Sequence, residues 1–392
     1  MSLNMQTTVI SYMLFQSTRD ELSLGMMGLA EVIPAVGFSL FSGHFVDQKE
    51  KRGLMRGCIF GYMVLSCYFI FLTLQSIQIS ITPQTLSWLI YAGVFAGGTL
   101  RAFVSPSNFA LLGLIIPRKL YSNATTWSST AWQLGAVTGP LIGGFLLAFT
   151  GYTASLATVL GIQVLTMAAI TLVSKKEIIN KAKEPILKSL REGLQFVFRS
   201  KVILAVLALD MFAVLFGGAI ALLPVFATEI LEVSATGYGW LRAAPGIGCI
   251  GTLFLLSFYP LKSAPGPKML LSIAGFGLTM VVFGLSTVFF LSFLMLLLSG
   301  MFDAVSVVIR GTILQLYTPD EMRGRVAAVN TMFISSSNEL GALESGITAR
   351  LMGTVPAVVT GGLITIGIVV WTRIKAPFLK DLKLDPTLRD KT

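Results

Sequence analysis

The sequence predicts an all-α membrane protein of twelve transmembrane helices in two six-helix halves related by a parallel repeat, with a short first helix. Three observations carry this. Of the 392 residues, 54% are hydrophobic and only 12% are charged. The apolar residues gather in stretches of about 20, the length a helix needs to cross a hydrocarbon core. The lysines and arginines fall almost entirely in alternate connections between those stretches. That is the positive-inside asymmetry of a polytopic membrane protein, and it puts both termini in the cytoplasm.

Taken in order, spans are expected at 4–17, 23–45, 54–75, 86–113, 122–149 and 153–174, then at 201–230, 236–260, 268–287, 289–316, 324–351 and 355–375. The first would cover about 20 Å as a helix, short of a hydrocarbon core of about 30 Å. Lys49, Lys51, Arg52 and Arg56 crowd the connection after the second span, and Arg118 and Lys119 follow the fourth. The 174–201 segment, Lys262 and Lys268, Arg323 and Arg325, and the tail after Trp371 continue the series. The connections at 75–87, 150–153, 228–236, 285–289 and 352–356 contain no Lys or Arg. Only the first outer loop departs, with Arg19 beside Asp20 and Glu21.

The halves are then 1–174 and 201–376, joined by a cytoplasmic linker at 175–200 and followed by a cytoplasmic tail at 377–392. Within the linker, 186–198 alternates apolar and basic residues at helical spacing, as an amphipathic helix at the membrane interface does. Its charges are read as anchors to lipid.

The formal charge of +10 does not point to nucleic acid. The basic residues spread over one face of a membrane, where anionic headgroups account for them. Cys58, Cys67 and Cys249 lie within apolar spans without a C-x-x-C and read as packing residues. His44 is the sole histidine, which argues against a His-based metal site or a Ser-His-Asp triad. No phosphate-binding loop signature occurs. No cofactor, metal or enzymatic reaction is expected.

The halves repeat. Residues 101–149 lie on 303–351 without a gap, setting Arg101 on Asp303, Pro117 on Pro319, Gly139 on Gly341 and Gly144 on Gly346. A second block sets Gly28 on Gly239, Pro34 on Pro245 and Gly37 on Gly248. Such repeats build transporters whose substrate site lies between the halves near the bilayer midplane.

The segment Gly43-His44-Phe45-Val46-Asp47-Gln48-Lys49-Glu50-Lys51-Arg52 resembles the loop signature of the major facilitator superfamily: a Gly, an Asp four residues on, then a basic cluster. Leu241-Arg242-Ala243-Ala244-Pro245, Thr318-Pro319-Asp320-Glu321-Met322-Arg323-Gly324-Arg325 and Asn338-Glu339-Leu340-Gly341 narrow the likeness. The chain is similar to the branch containing the enterobactin exporter and the macrolide-efflux-type permeases. It departs from the signature at Gln48, where Arg is usual, and at Glu50, where Gly or Asp is usual. The second-half counterpart around 258–263 lacks the Asp. Family members carry roughly half a helix more at the N-terminus, which implies a truncated first helix.

The resemblance implies a monomeric, proton-coupled secondary transporter in a bacterial inner membrane. It would export a small amphipathic compound, a siderophore or macrolide-like drug, by alternating access, with the small-molecule substrate, protons and membrane lipid as its partners. An importer of the same fold and a non-transporting sensor on the same scaffold are the alternatives.

Charges inside spans carry the chemistry: Glu31, Arg101, Asp210, Arg242, Asp303, Arg310, Glu339, Glu344 and Arg350. Each costs several kcal/mol at that depth unless paired or hydrated. Carboxylates can carry protons and arginine cannot. Asp303, Glu339 and Glu31 are the first proton-coupling candidates. Asp210 follows, though a partnership with Arg310 would hold it ionised. Arg101, Arg242, Arg310 and Glu344 are candidates for the substrate cavity or for charge pairs. The family arrangement implies that Arg101 faces Asp303 across a cavity and that Glu31 lies near Glu339 or Glu344. Gly43, Asp47 and Arg52 form the gating loop, with Asp47 as the latch. Glycines gather in span 5 (Gly135, Gly139, Gly143, Gly144) and span 8 (Gly237, Gly239, Gly246, Gly248, Gly251), where small residues let helices approach closely.

Overall fold

The computed structural model describes residues 1–74, 81–115, 121–173, 186–259, 265–319 and 322–381; some side chains within its helices, among them those of His44 and Asp47, fall outside the description. The described residues form helices and turns, with no strand. The helices are α1 (Ser2–Thr18), α2 (Glu21–Gln48), α3 (Lys51–Leu72) and α4 (Pro83–Ile115). The helical stretch Tyr121–Leu172 is two helices, α5 (121–150) and α6 (152–172), separated at Gly151 with φ 77° and ψ −176°, a backbone region open essentially to glycine alone. Next come α7 (Ile186–Arg199), α8 (Lys201–Gly217), α9 (Ala235–Phe258), α10 (Pro265–Leu285), α11 (Phe289–Tyr317), α12 (Arg323–Met352) and α13 (Thr354–Lys375).

Eleven of the twelve expected spans coincide with described helices. Among the described residues, nine stretches are long and apolar enough to cross a membrane, and Thr130–Leu172 serves both α5 and α6. α1 falls short at 17 residues. α12 is too polar to qualify, with Glu339, Glu344 and Arg350 in one helix.

The seventh span differs from the single helix expected over 201–230. α8 ends at Gly217, and Gly218 leaves the helical region with φ −83° and ψ 95°. A 3₁₀ turn (Ile220–Leu222), one helical turn (Leu223–Val225) and a wide π turn (Phe226–Ile230) complete the span. Carbonyls freed in lipid need internal partners, and neighbouring helices supply them. Ser345 of α12 donates to the Gly218 carbonyl at 3.1 Å; just before the break, Thr365 of α13 donates to the Ala213 carbonyl at 3.3 Å. Bare backbone on α12 makes this approach possible, since a Cβ on Gly341 would stand 3.0 Å from the Leu215 oxygen.

The chain forms two compact units: Met1–Ile186 with Glu232–Ala243, and Leu187–Leu231 with Ala244–Thr392. In the first, α2 packs on α4, α1 lies against the Tyr121–Leu172 stretch, and α3 touches both. Its polar centre is Ser66, whose Oγ lies 2.8 Å from Gln163 Oε1 and 3.3 Å from Gln6 Oε1. The first turns of α9 belong to this unit. A Cβ on Gly239 would stand 3.0 Å from the Gly144 Cα, and the buried Tyr238 hydroxyl meets Ser11 Oγ at 2.8 Å.

In the second unit α10 packs between α11 and α13, and α8 lies against α12 and α13. Helix α7 is not a lipid-anchored linker alone. Val197 is buried in a cluster with Ile203, Leu207, Leu314, Val326 and Val329. Glu192 pairs with Arg325 at 2.6 Å. The reading of 186–198 as a purely interfacial helix is corrected accordingly: one face is docked on protein. No disulfide joins the three cysteines; Cys58 is buried but Cys67 exposed, so Cys67 does not pack in the interior.

Helices α9 and α11 cross backbone to backbone, because a Cβ on Gly300 would strike the Pro245 carbonyl and one on Gly248 that of Leu297. Gly251, on α9, has nothing within 4 Å of such a Cβ. Overpacking of this kind costs about 1–3 kcal/mol. Gly300→Ala is therefore expected to lower the melting temperature of the purified protein in detergent, and Gly251→Ala to leave it unchanged or raise it. Equal melting of Gly300→Ala and wild type would show that the close crossing does not exist.

Candidate functional site

The first unit holds a cavity of about 110 Å³. Its charged wall is set by one proline and one glycine. Pro34 of α2 has no N–H, so the carbonyl four residues before it loses its helical partner. Gly98 of α4 faces this turn, and a Cβ on it would stand 2.5 Å from the Glu31 carbonyl oxygen and 2.9 Å from Pro34 Cγ. The two backbones thus approach closely beside Glu31. Arg101, almost one turn beyond Gly98, donates from its guanidinium to Glu31 Oε1 as an ion pair. The Arg101 side chain is 47% exposed and that of Glu31 21%. The remaining walls come from Asn4, Gln6 and Thr7 of α1, Tyr62, Leu65 and Phe69 of α3, Gly97 of α4 and Trp132 of α5. Tyr62 donates to the Gly97 carbonyl at 3.2 Å, which fixes its ring. Gln6 is held by Ser66 and Gln163.

The second unit holds a buried ion pair, Arg310 of α11 with Asp210 of α8, whose side chains are only 6% and 8% exposed. Asp303 lies seven residues before Arg310, two turns away on the same face. Among the described residues it makes no ion pair or hydrogen bond. On α12, Glu344 accepts from Thr348 at 2.9 Å. Glu339 is half-buried and Arg350 exposed, and both have partners.

The other candidates have local roles. Arg242 donates to the Tyr238 hydroxyl at 2.7 Å and to Ser11 Oγ at 3.1 Å. Arg52 donates to the Thr171 carbonyl at 2.5 Å, joining the start of α3 to the end of α6. Asp47 falls in the last turn of α2; its side chain and that of His44 lie outside the described residues, as does the environment of Gly43.

The structure therefore joins Glu31 with Arg101 and Asp210 with Arg310. The carboxylate that engages Arg101 belongs to its own unit, a pairing the sequence did not suggest. The approach of Arg101 to Asp303, and of Glu31 to Glu339 or Glu344, stays an expectation. Sequence reasoning also missed Gln6, Ser66, Gln163 and Tyr62. Their signal was polar residues inside apolar spans.

Removing one partner of a buried pair leaves an uncompensated charge and costs about 3–5 kcal/mol, whereas replacing both can be neutral. Asp210→Asn is expected to lower folded yield and melting temperature. Asp210→Asn with Arg310→Gln should recover most of the loss. A double variant as unstable as the sum of the singles would sink the pairing.

The Major Facilitator Superfamily profile matches residues 1–342. The enterobactin exporter EntS of Shigella dysenteriae serotype 1 (strain Sd197) is 29% identical over 283 residues, covering 72% of this chain and 67% of that protein. EntS of Escherichia coli O81 (strain ED1a) matches to the same extent, 29% over 283 residues, with 72% and 67% covered. Among solved structures, a bacterial homolog of the human lysosomal transporter Spinster, inward-facing and unoccupied, is similar with a TM-score of 0.69 at 14% identity, covering 100% of this chain and 96% of that one. A D-xylose-proton symporter gives 0.68 at 12% identity, covering 97% and 99%. At these identities the structures speak for the fold alone.

Proposed function

The chain belongs to the major facilitator superfamily, and from that premise we propose that it is a proton-coupled exporter of a small amphipathic compound, siderophore-like or macrolide-like. In this reading it works as a monomer, by alternating access, in a bacterial inner membrane with both termini cytoplasmic. Export is supported by the relatives named as exporters. Proton coupling is supported by one contrast: Asp210 is engaged by Arg310, while Asp303 has no partner among the described residues. A carrier must take up and release a proton within each cycle. Protonation of Asp210 would leave Arg310 as an uncompensated buried charge, whereas protonation of Asp303 breaks no ion pair among the described residues.

Asp47 is proposed as the gating latch, four residues before the start of α3, which Arg52 ties to α6. Glu339 is the competing proton site on α12.

The test is flux in inverted vesicles under an imposed pH gradient. Asp303→Asn is expected to bind substrate but lose pH-driven efflux, while Glu339→Gln keeps it. Full proton-driven efflux in Asp303→Asn with none in Glu339→Gln would move the proton site to α12. Flux of the opposite sign would make the protein an importer.

The latch has its own test. A charge-assisted contact is worth on the order of 1.5–3 kcal/mol, enough to shift a two-state balance strongly. Asp47→Asn should slow turnover and leave substrate affinity within a few-fold. Unchanged turnover would reduce Asp47 to a cytoplasmic acid without a gating role.

A further inference from the structure

We propose that the cavity of the first unit is a subsite for one substituent of the transported compound, an aromatic ring bearing an acidic oxygen, with Arg101 as its anchor. The proposal rests on the transporter reading above and narrows its substrate to aromatic acids.

Size comes first. Pockets that enclose a drug-sized ligand measure about 300–1,000 Å³, and an apolar cavity of about 150 Å³ takes a single benzene. At about 110 Å³, this cavity is smaller than either figure and seats a part of a larger compound. It matches one ring.

The walls fit a ring as well. Leu65, Phe69, Tyr62 and Trp132 offer apolar and aromatic surface, and ring edges and faces pack favourably against such neighbours. Gly97 leaves the α4 side open, since a Cβ there would meet only Leu65, at 3.7 Å.

Charge then selects among substituted rings. The ion pair brings one cation and one anion to the wall, and they are unequally covered. Arg101 is 47% exposed against 21% for Glu31, so the guanidinium is the more open of the two. Its planar fork matches a carboxylate in two parallel hydrogen bonds. An arriving acid competes with Glu31 for that fork, whereas an arriving amine must displace Arg101 from the more covered carboxylate. The site therefore favours anions, and Glu31 weakens their binding.

The test uses the full chain in lipid nanodiscs and three probes that share one ring: benzoate, benzyl alcohol and benzylamine. Benzoate is expected to bind at least tenfold more tightly than either of the others. Arg101→Gln should remove that preference, Arg101→Lys should keep part of it, and Glu31→Gln should tighten benzoate several-fold. Gly97→Leu, which fills the cavity and leaves the ion pair intact, should abolish binding of all three; it serves also if Arg101→Gln does not fold. Benzylamine binding as tightly as benzoate, unaltered benzoate affinity in Arg101→Gln or Gly97→Leu, or no benzoate binding at millimolar concentration would overturn the subsite. Efflux under a pH gradient is scored separately. Selective benzoate binding without flux would sink the transport reading and leave the subsite standing, and flux without selective binding would do the reverse.

Discussion

An ionised side chain at bilayer depth keeps its charge only beside an opposite charge, a strong hydrogen-bond donor or water. Both units are arranged around that constraint. In the second, Asp210 and Arg310 close on each other among apolar neighbours that include Leu209, Ala213, Ile309 and Ile313. Such a pair adds little net stability over an apolar pair of the same shape; its penalty falls on any register that separates the charges. It therefore specifies which faces of α8 and α11 meet. In the first unit the constraint is met differently. Glu31 and Arg101 are paired but open to a cavity, so water or a ligand can share the solvation of the charges. The buried pair suits architecture and the open pair suits exchange of partners.

The backbone obeys a parallel rule. In lipid every peptide group must be satisfied by protein, so a break in a membrane helix is stable only where neighbours bring hydrogen-bond donors. At the end of α8 the donor is Ser345, admitted by Gly341 on α12. Gly98 plays the corresponding part beside Pro34 in the first unit, where close approach of α2 and α4 allows a side chain one turn on to span the gap.

The helices were legible in the chain because a bilayer sets their length and the lysines and arginines gather in the connections between them. Where reading failed, the cause was local. Gly217, Gly218 and Pro224 sit in a run so apolar that hydropathy hides the break they make. The charged residues were legible as candidates because each is costly at depth. Their partners were not, because pairing depends on which helix faces meet. The Arg101–Glu31 pair depends on the close approach of α2 and α4 at Gly98, which marks no partner in sequence. The amphipathic pattern of α7 was visible, but a periodic pattern does not say whether its apolar face meets lipid or protein.

Docking of α7 bears on how the polypeptide could be divided. Val197 is part of a core with residues of α8, α11 and α12, and Glu192 holds the start of α12 through Arg325. Measured by what it stabilises, α7 is the opening element of the second half and not the tether between halves. Two coexpressed fragments meant to reassemble would therefore be joined or cut ahead of Ile186. A cut after Arg199 would strip the second fragment of part of its own interior and expose Val326 and Val329 at the end of a membrane helix.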